Sequence, residues 1–298
     1  MLNRKNDYHM AQRKETKTMR KQFPDISVEA FVADTDRKAL AALQRIPLLP
    51  TVITKFHESG FDRWIYCWNM AMSVRCGPKQ YGTIYRIAEE CSGILDMPTP
   101  EIYLTNNPFP NAYTGGVDRP YITLRSSIID TLTDEQLYHL IGHELGHIKA
   151  GHVLYKSVAR FLIPILELIS RRTLGVADVA QVALMSAFFE WSRQAEITAD
   201  RAGLLCSQDF STSASANLML TGGPNRLMHE ANEAQFLDQA RTYQDMNFYD
   251  SIGKMMVFMF YGMGATHPMP VHRVQQLEHW YESGAYGRII SGNYSKKA

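Results

Sequence analysis

The sequence predicts an α+β fold, and three observations predict it. Three short segments between residues 100 and 125 are rich in β-branched and aromatic residues and bounded by Pro, Gly and Asn. The segment before them carries apolar residues at helical spacing. From about residue 126 helical patterning continues almost to the end, so strands and helices are segregated rather than alternating. With 298 residues, 45% hydrophobic and 20% charged, the chain is long enough to bury a sizeable core in one or two domains.

Taken in order, residues 1–23 are polar and basic without an apolar core, and read as a disordered tail, with a basic arm for membrane or nucleic acid as the alternative. Residues 24–95 read as an N-terminal helical segment packed on the body. In it, "TDRKALAALQRI" is a short helix ended by "PLLP", and "YGTIYRIAEECSGIL" is apolar at 81, 84, 85, 88, 91 and 95. "PEIYLT" (100–105), "NAYTGG" (111–116) and "PYITLR" (120–125) are the three strands of a small sheet. Thr133 with Gln136 is a capping-box start for the next helix, and Gly151 a plausible stop. The catalytic-looking body spans 96–285, and 286–298 is a tail.

Composition excludes some functions. A net charge of +1 gives no bulk attraction for nucleic acid or an anionic membrane. No secretory h-region is visible, which points to the cytoplasm. The four cysteines form no CxxC pair, as expected of free thiols in a reducing compartment. The apolar runs "FLIPILELI" (161–169) and "MMVFMFYGMGA" (255–265) fall short of the roughly 20 residues that span a bilayer. They suit buried helices or a peripheral membrane contact. The methionines of the second run read as core.

The chemistry sits in "LYHLIGHELGHIKAGH", residues 137–152. On a helical wheel Leu137, Leu140, Ile141 and Ile148 form the buried stripe, and Glu144 falls inside it. A buried carboxylate without a partner costs several kcal/mol. A metal-bound water supplies the partner. His143 and His147, at i and i+4, project from one face and can bind one zinc ion, while Glu144 takes a proton from the water. A third ligand is needed. The HExxHxxGxxH route fails, because Ala150 and Val153 occupy its later positions. His152 then reads as a histidine behind the ligands or at the surface. The other route is a carboxylate on a later helix. In "FFEWSRQAEITADRAG", Glu196 and Asp200 share a face, and Ala195, Ala199, Ala202 and Gly203 let that helix approach closely. Glu196 can ligate the ion while Asp200 receives the free ring N–H of a ligand histidine. The alternative is two surface carboxylates paired with Arg193 and Arg201.

These motifs resemble the zinc metallopeptidases of the HtpX, BepA and CAAX-prenyl-protease group, which are gluzincins. The likeness covers roughly residues 100–285. "NAYTGG" resembles the group's edge strand, "LTDEQLYHLIGHELGHIKAGH" its active-site helix, "EITADRAG" its ExxxD helix and "THPMPVHR" its THP-x4-R segment. The resemblance implies a mostly helical peptidase fold with an edge strand lining the active site. It also implies one Zn²⁺ per chain on His143, His147 and Glu196, with Asp200 behind them. Several relatives place membrane-spanning helices around these motifs, but Lys156, Arg160, Glu167, Arg171, Arg172 and Asp178 argue against a clean span here.

The implied activity is a metalloendopeptidase acting on peptide or unfolded-protein substrates, as in protein quality control. Glu144 is the general base, and the peptide is an added strand along Asn111, Ala112, Tyr113 and Thr114. His267, on a Pro-fixed turn, and Arg273 are placed to stabilise an oxyanion. For His267 a plug on the metal or a simple turn histidine are alternatives; for Arg273 a structural salt bridge is one. The rival function is a zinc-bound but catalytically silent scaffold for unfolded or partner chains.

Overall fold

The computed structural model describes residues 19–46, 49–58, 60–159, 176–222, 225–245 and 269–297. The two long apolar runs, the "THP" turn with His267 and most of the basic tail lie outside these residues. The fold is α+β and mostly helical around one small sheet.

Among the described residues the first three α-helices are α1 (Asp34–Gln44), α2 (Leu49–Glu58) and α3 (Phe61–Met72). The reading of "PLLP" as a breaker hides α2. Pro50 stands in its first turn, where a proline's missing N–H leaves no helical hydrogen bond unmade. Strand β1 (Val74–Arg75) and α4 (Gly82–Ile94) follow. The three expected strands form as β2 (Glu101–Thr105), β3 (Ala112–Gly115) and β4 (Tyr121–Arg125). The sheet order is β1-β2-β4-β3, with β2 and β4 parallel and the outer pairs antiparallel. β3 therefore lies at an edge, joined to β4 by a hairpin. Its turn requires Gly116, which has φ +77° and where a Cβ would come within 2.1 Å of the Arg119 carbonyl oxygen. A two-residue strand such as β1 shows no alternation, so nothing in the sequence marks it.

After the short α5 (Ser126–Thr131) comes the central helix α6 (Asp134–Lys149). Thr133 and Gln136 form the reciprocal capping box, and Gly151 takes φ +72° just past the end. The expected apolar stripe is too narrow a description. Every residue from Gln136 to His147 is buried, because α4, the sheet, α8 (Val176–Ser207) and α9 (Phe210–Gly222) surround α6. Residues 152–159 are helical (α7) and precede α8. The later elements are α10 (Glu233–Asp245), α11 (Pro270–Glu282) and α12 (Ala285–Ile290). Among the described residues no helix is long and apolar enough to cross a membrane.

Helices α6 and α8 meet through small residues. A Cβ on Gly142 would lie 2.5 Å from Cys206 Cβ, and one on Gly146 would lie 2.7 Å from Ala202 Cβ. Gly142→Ala should therefore destabilise the fold by overpacking, by about 1–3 kcal/mol, read as a lowered Tm. Unchanged thermal unfolding would contradict this contact.

One core holds the molecule together and crosses the expected boundaries. It includes Phe23 and Ile26, Ile87 and Leu95 of the N-terminal part, Ile122 and Leu124 of the sheet, Ile141, Leu145 and Leu204 of the central pair, and Leu277, Tyr286 and Ile289 near the end. It takes in described residues from both of the expected tails. Phe23 is fully buried, and Arg20 hydrogen-bonds the Ser207 carbonyl and stacks on the Tyr138 ring, so the chain is docked before residue 24. Described residues between 286 and 297 are docked as well. Tyr286 and Ile289 bury one face of α12, and the Ser295 carbonyl accepts from the Ser27 N–H. A second cluster packs Leu43 and Ile53 against Val158, Phe188 and Trp191, fixing α1 and α2 on α7 and α8. The four cysteines are free thiols.

Candidate metal centre

α6 and α8 bring His143, His147 and Glu196 together. One ligand atom from each lies within 4.8 Å of the others, and all three residues are buried. His143 Nε2 is 3.3 Å from Glu196 Oε2, and His147 Nε2 is 3.2 Å from Glu196 Oε1. On the far side of the His143 ring, Nδ1 is 2.9 Å from Asp200 Oδ1. An ionised carboxylate only accepts, so Nδ1 carries the hydrogen and the remaining imidazole lone pair faces Glu196. Two acceptors facing at this distance need a cation or a proton between them. Burial opposes a charge on His143, but Asp200 and Glu196 outweigh it and raise its pKa to about 8. The field that holds that proton also attracts a metal ion. Two imidazoles and a carboxylate are a donor set that suits zinc.

Asp200 is held as an anion. Burial opposes its charge, but the Arg273 guanidinium and the imidazole hydrogen bonds keep its carboxyl well below the usual range. Arg273 comes from the first turn of α11 and donates twice, from Nε to Asp200 Oδ2 at 2.8 Å and from Nη2 to Asp200 Oδ1 at 2.5 Å. This bidentate grip favours the salt-bridge reading of Arg273 over a guanidinium aimed at substrate. The surface-pair alternative for Glu196 and Asp200 is not what forms. Arg201 instead donates to the Phe31 and Val32 carbonyls, and Arg193 pairs with Glu190.

Glu144 is fully buried on α6 between His143 and His147. β3 packs against α6. Of the expected edge residues, Ala112 and Thr114 are buried, and Thr114 Oγ1 donates to the Tyr121 carbonyl at 3.0 Å. The Thr114 side chain thus points inward, on the same buried face of β3 as Ala112. The Asn111 carbonyl accepts from Arg125 N–H at 2.9 Å, and Tyr113 is half-buried. Among the described residues β3 has a strand neighbour on one side only.

Three residues near the site went unread in the sequence. Lys156 of α7 places Nζ 2.6 Å from Glu196 Oε1 and 2.9 Å from His147 Nε2. Its ammonium bridges His147 and Glu196. His139, one turn before His143, lies with Nε2 3.7 Å from Asp200 Oδ1 and near the Asn217 amide; its spacing was the available signal. Asp36 of α1 reaches the site through His152, and no local pattern announces it. Of the two readings of His152, the surface one is not what forms, since its side chain is buried. The chain turns at Gly151, which brings that ring back behind His147.

Comparison with known proteins agrees with this geometry. Residues 78–281 match the family model described as Peptidase family M48. The chain is 29% identical over 276 residues to the plastoglobule-localized metallopeptidase 48, chloroplastic, of Arabidopsis thaliana, covering 90% of this chain and 77% of that one. It is 24% identical over 221 residues to the Protease HtpX of Legionella pneumophila (strain Corby), covering 66% and 76%. With the Protease HtpX homolog of Tropheryma whipplei (strain Twist) the identity is 24% over 178 residues, covering 52% and 61%. No solved structure matches the chain. The family match takes in the edge strand, the HExxH helix, Glu196, Asp200 and Arg273, and it extends over more than half of the sequence: the chain belongs to peptidase family M48 and is a protease.

Proposed function

We propose that the protein is a zinc-dependent endopeptidase acting on peptides or unfolded proteins. The observation that carries this is the convergence of His143, His147 and Glu196 as buried donors within 4.8 Å of one another. In this reading those three side chains hold the ion. Zinc, when bound, supplies Lewis acidity toward the scissile carbonyl and acidifies water. Glu144 accepts the proton of the attacking water and returns it to the leaving amine. The peptide lies as an added strand along Asn111, Ala112, Tyr113 and Thr114, with specificity set by side chains beside it. Asp200 fixes the His143 ring, and Arg273 fixes Asp200. His267 keeps the roles implied by the THP-x4-R resemblance, oxyanion donor first. A silent zinc scaffold would need the same ligands but no Glu144.

Digestion of reduced casein with and without chelator, with mass spectrometry of the products, tests the activity. Internal cuts that stop on chelation and return with zinc support the reading. End trimming would make it an exopeptidase, and no cutting by a zinc-loaded chain would favour the scaffold. The cytoplasmic placement is likewise a proposal, and fractionation of the source cells tests it. The plant relative is, by its name, plastoglobule-localized and chloroplastic.

Asp200→Asn tests the support behind His143. Metal affinity should fall roughly 10- to 100-fold, measured by chelator competition. Thermal stability should fall as well, because Arg273 then keeps a buried charge without its anion. Unchanged affinity would remove Asp200 from the metal centre.

A further inference from the structure

The two ligand histidines are buttressed differently. His143 meets a carboxylate directly, whereas His147 meets another imidazole, with its Nδ1 2.9 Å from His152 Nδ1. His152 Nε2 in turn lies 3.0 Å from Asp36 Oδ2. Asp36 belongs to α1, outside the span 78–281 that matches the family. His147, His152 and Asp36 are all buried.

Donor and acceptor roles along this row follow from chemistry. The Asp36 carboxylate accepts, so His152 Nε2 carries the hydrogen and the neutral ring presents a lone pair at Nδ1. That lone pair receives the Nδ1–H of His147, which leaves His147 Nε2 with the lone pair a metal needs. Lys156 reports the same tautomer independently. An ammonium has only hydrogens to give, and its Nζ stands 2.9 Å from His147 Nε2. The outer end of the row is fixed as well. Thr198 Oγ1, on α8 between Glu196 and Asp200, donates to Asp36 Oδ2 at 2.5 Å and accepts from Ala33 N–H at 3.1 Å. The His152 ring sits edge-on to Trp191, with centroids 5.6 Å apart.

We propose that Asp36 and His152 are positioning residues for the metal ligand His147, which makes the N-terminal helix α1 a structural part of the metal centre. This rests on the reading of His143, His147 and Glu196 as the metal set. A carboxylate behind a ligand histidine fixes its tautomer and ring orientation. Here the carboxylate acts through one intervening imidazole.

The test measures zinc affinity of the full chain by chelator competition, for wild type, Asp36→Asn, His152→Phe and the double variant, with Glu196→Ala marking loss of the site. Asp36→Asn and His152→Phe should each weaken zinc by roughly 10-fold or more. The double variant should be no weaker than His152→Phe alone, because Asp36 reaches His147 only through His152. The visible spectrum of the cobalt-substituted protein should shift in each, which a merely structural role would not cause. Unchanged affinity and spectrum in Asp36→Asn, or strictly additive losses, overturn the inference while the metal reading stands. A wild-type chain that takes up no zinc overturns the metal reading, and the inference with it. Should Asp36→Asn fail to fold, His152→Phe carries the test alone, since it keeps a ring against Trp191, and unchanged zinc affinity there overturns the proposal.

Discussion

Glu144→Gln is expected to keep its fold and its metal while hydrolysis falls at least about 100-fold, which is about 2.7 kcal/mol of transition-state stabilisation. The change is nearly isosteric at a fully buried position, so packing around α6 survives. What disappears is the carboxylate proposed to accept the proton. Glu144 lies beside His143 and His147 rather than among the three grouped donors, so metal content should not change. Single-turnover cleavage of an unfolded substrate, with metal content assayed on the same sample, checks both halves. Near-normal turnover would remove Glu144 as the base.

Glu196→Ala is expected to lose the metal altogether, from about one zinc per chain to a trace after dialysis. Glu196 contributes the only carboxylate of the donor set, and its two oxygens face both histidines, at 3.3 Å and 3.2 Å. Without it, Lys156 and Arg273 remain as cations at the site and repel a metal ion. Zinc retained in full by the variant would mean that the third ligand lies elsewhere. The contrast between the two variants is informative: one should be inactive with metal, the other inactive without it.

How much of this was legible in the sequence depends on the range of each interaction. α6 was readable to its ends, because its capping box and Gly151 act within a few residues and HExxH lies on one helical face. Glu196 and Asp200 were readable because they share a face of a helix thinned by alanine and glycine, which is how α8 comes against Gly142 and Gly146. Arg273 was ambiguous. A lone arginine in a first helical turn suits an oxyanion or a salt bridge equally, and only the packing of α11 on α8 places it on Asp200. α2 was obscured by Pro50 and β1 by its length. Asp36 and Lys156 carry no motif at all. Asp36 meets His152 across 116 residues of chain, and Lys156 meets Glu196 40 residues away as well as His147 nine residues away across the turn at Gly151, so only tertiary packing shows them.

The central claim is that His143, His147 and Glu196 hold one ion. Anomalous diffraction at the zinc edge from crystals of the purified protein tests it most directly. The account predicts a single strong peak bonded to His143 Nε2, His147 Nε2 and a Glu196 oxygen, at about 2.0–2.2 Å, with Lys156 Nζ moved away from those atoms. Crystals grown with zinc that show no peak there, with Lys156 still bridging His147 and Glu196, would contradict it.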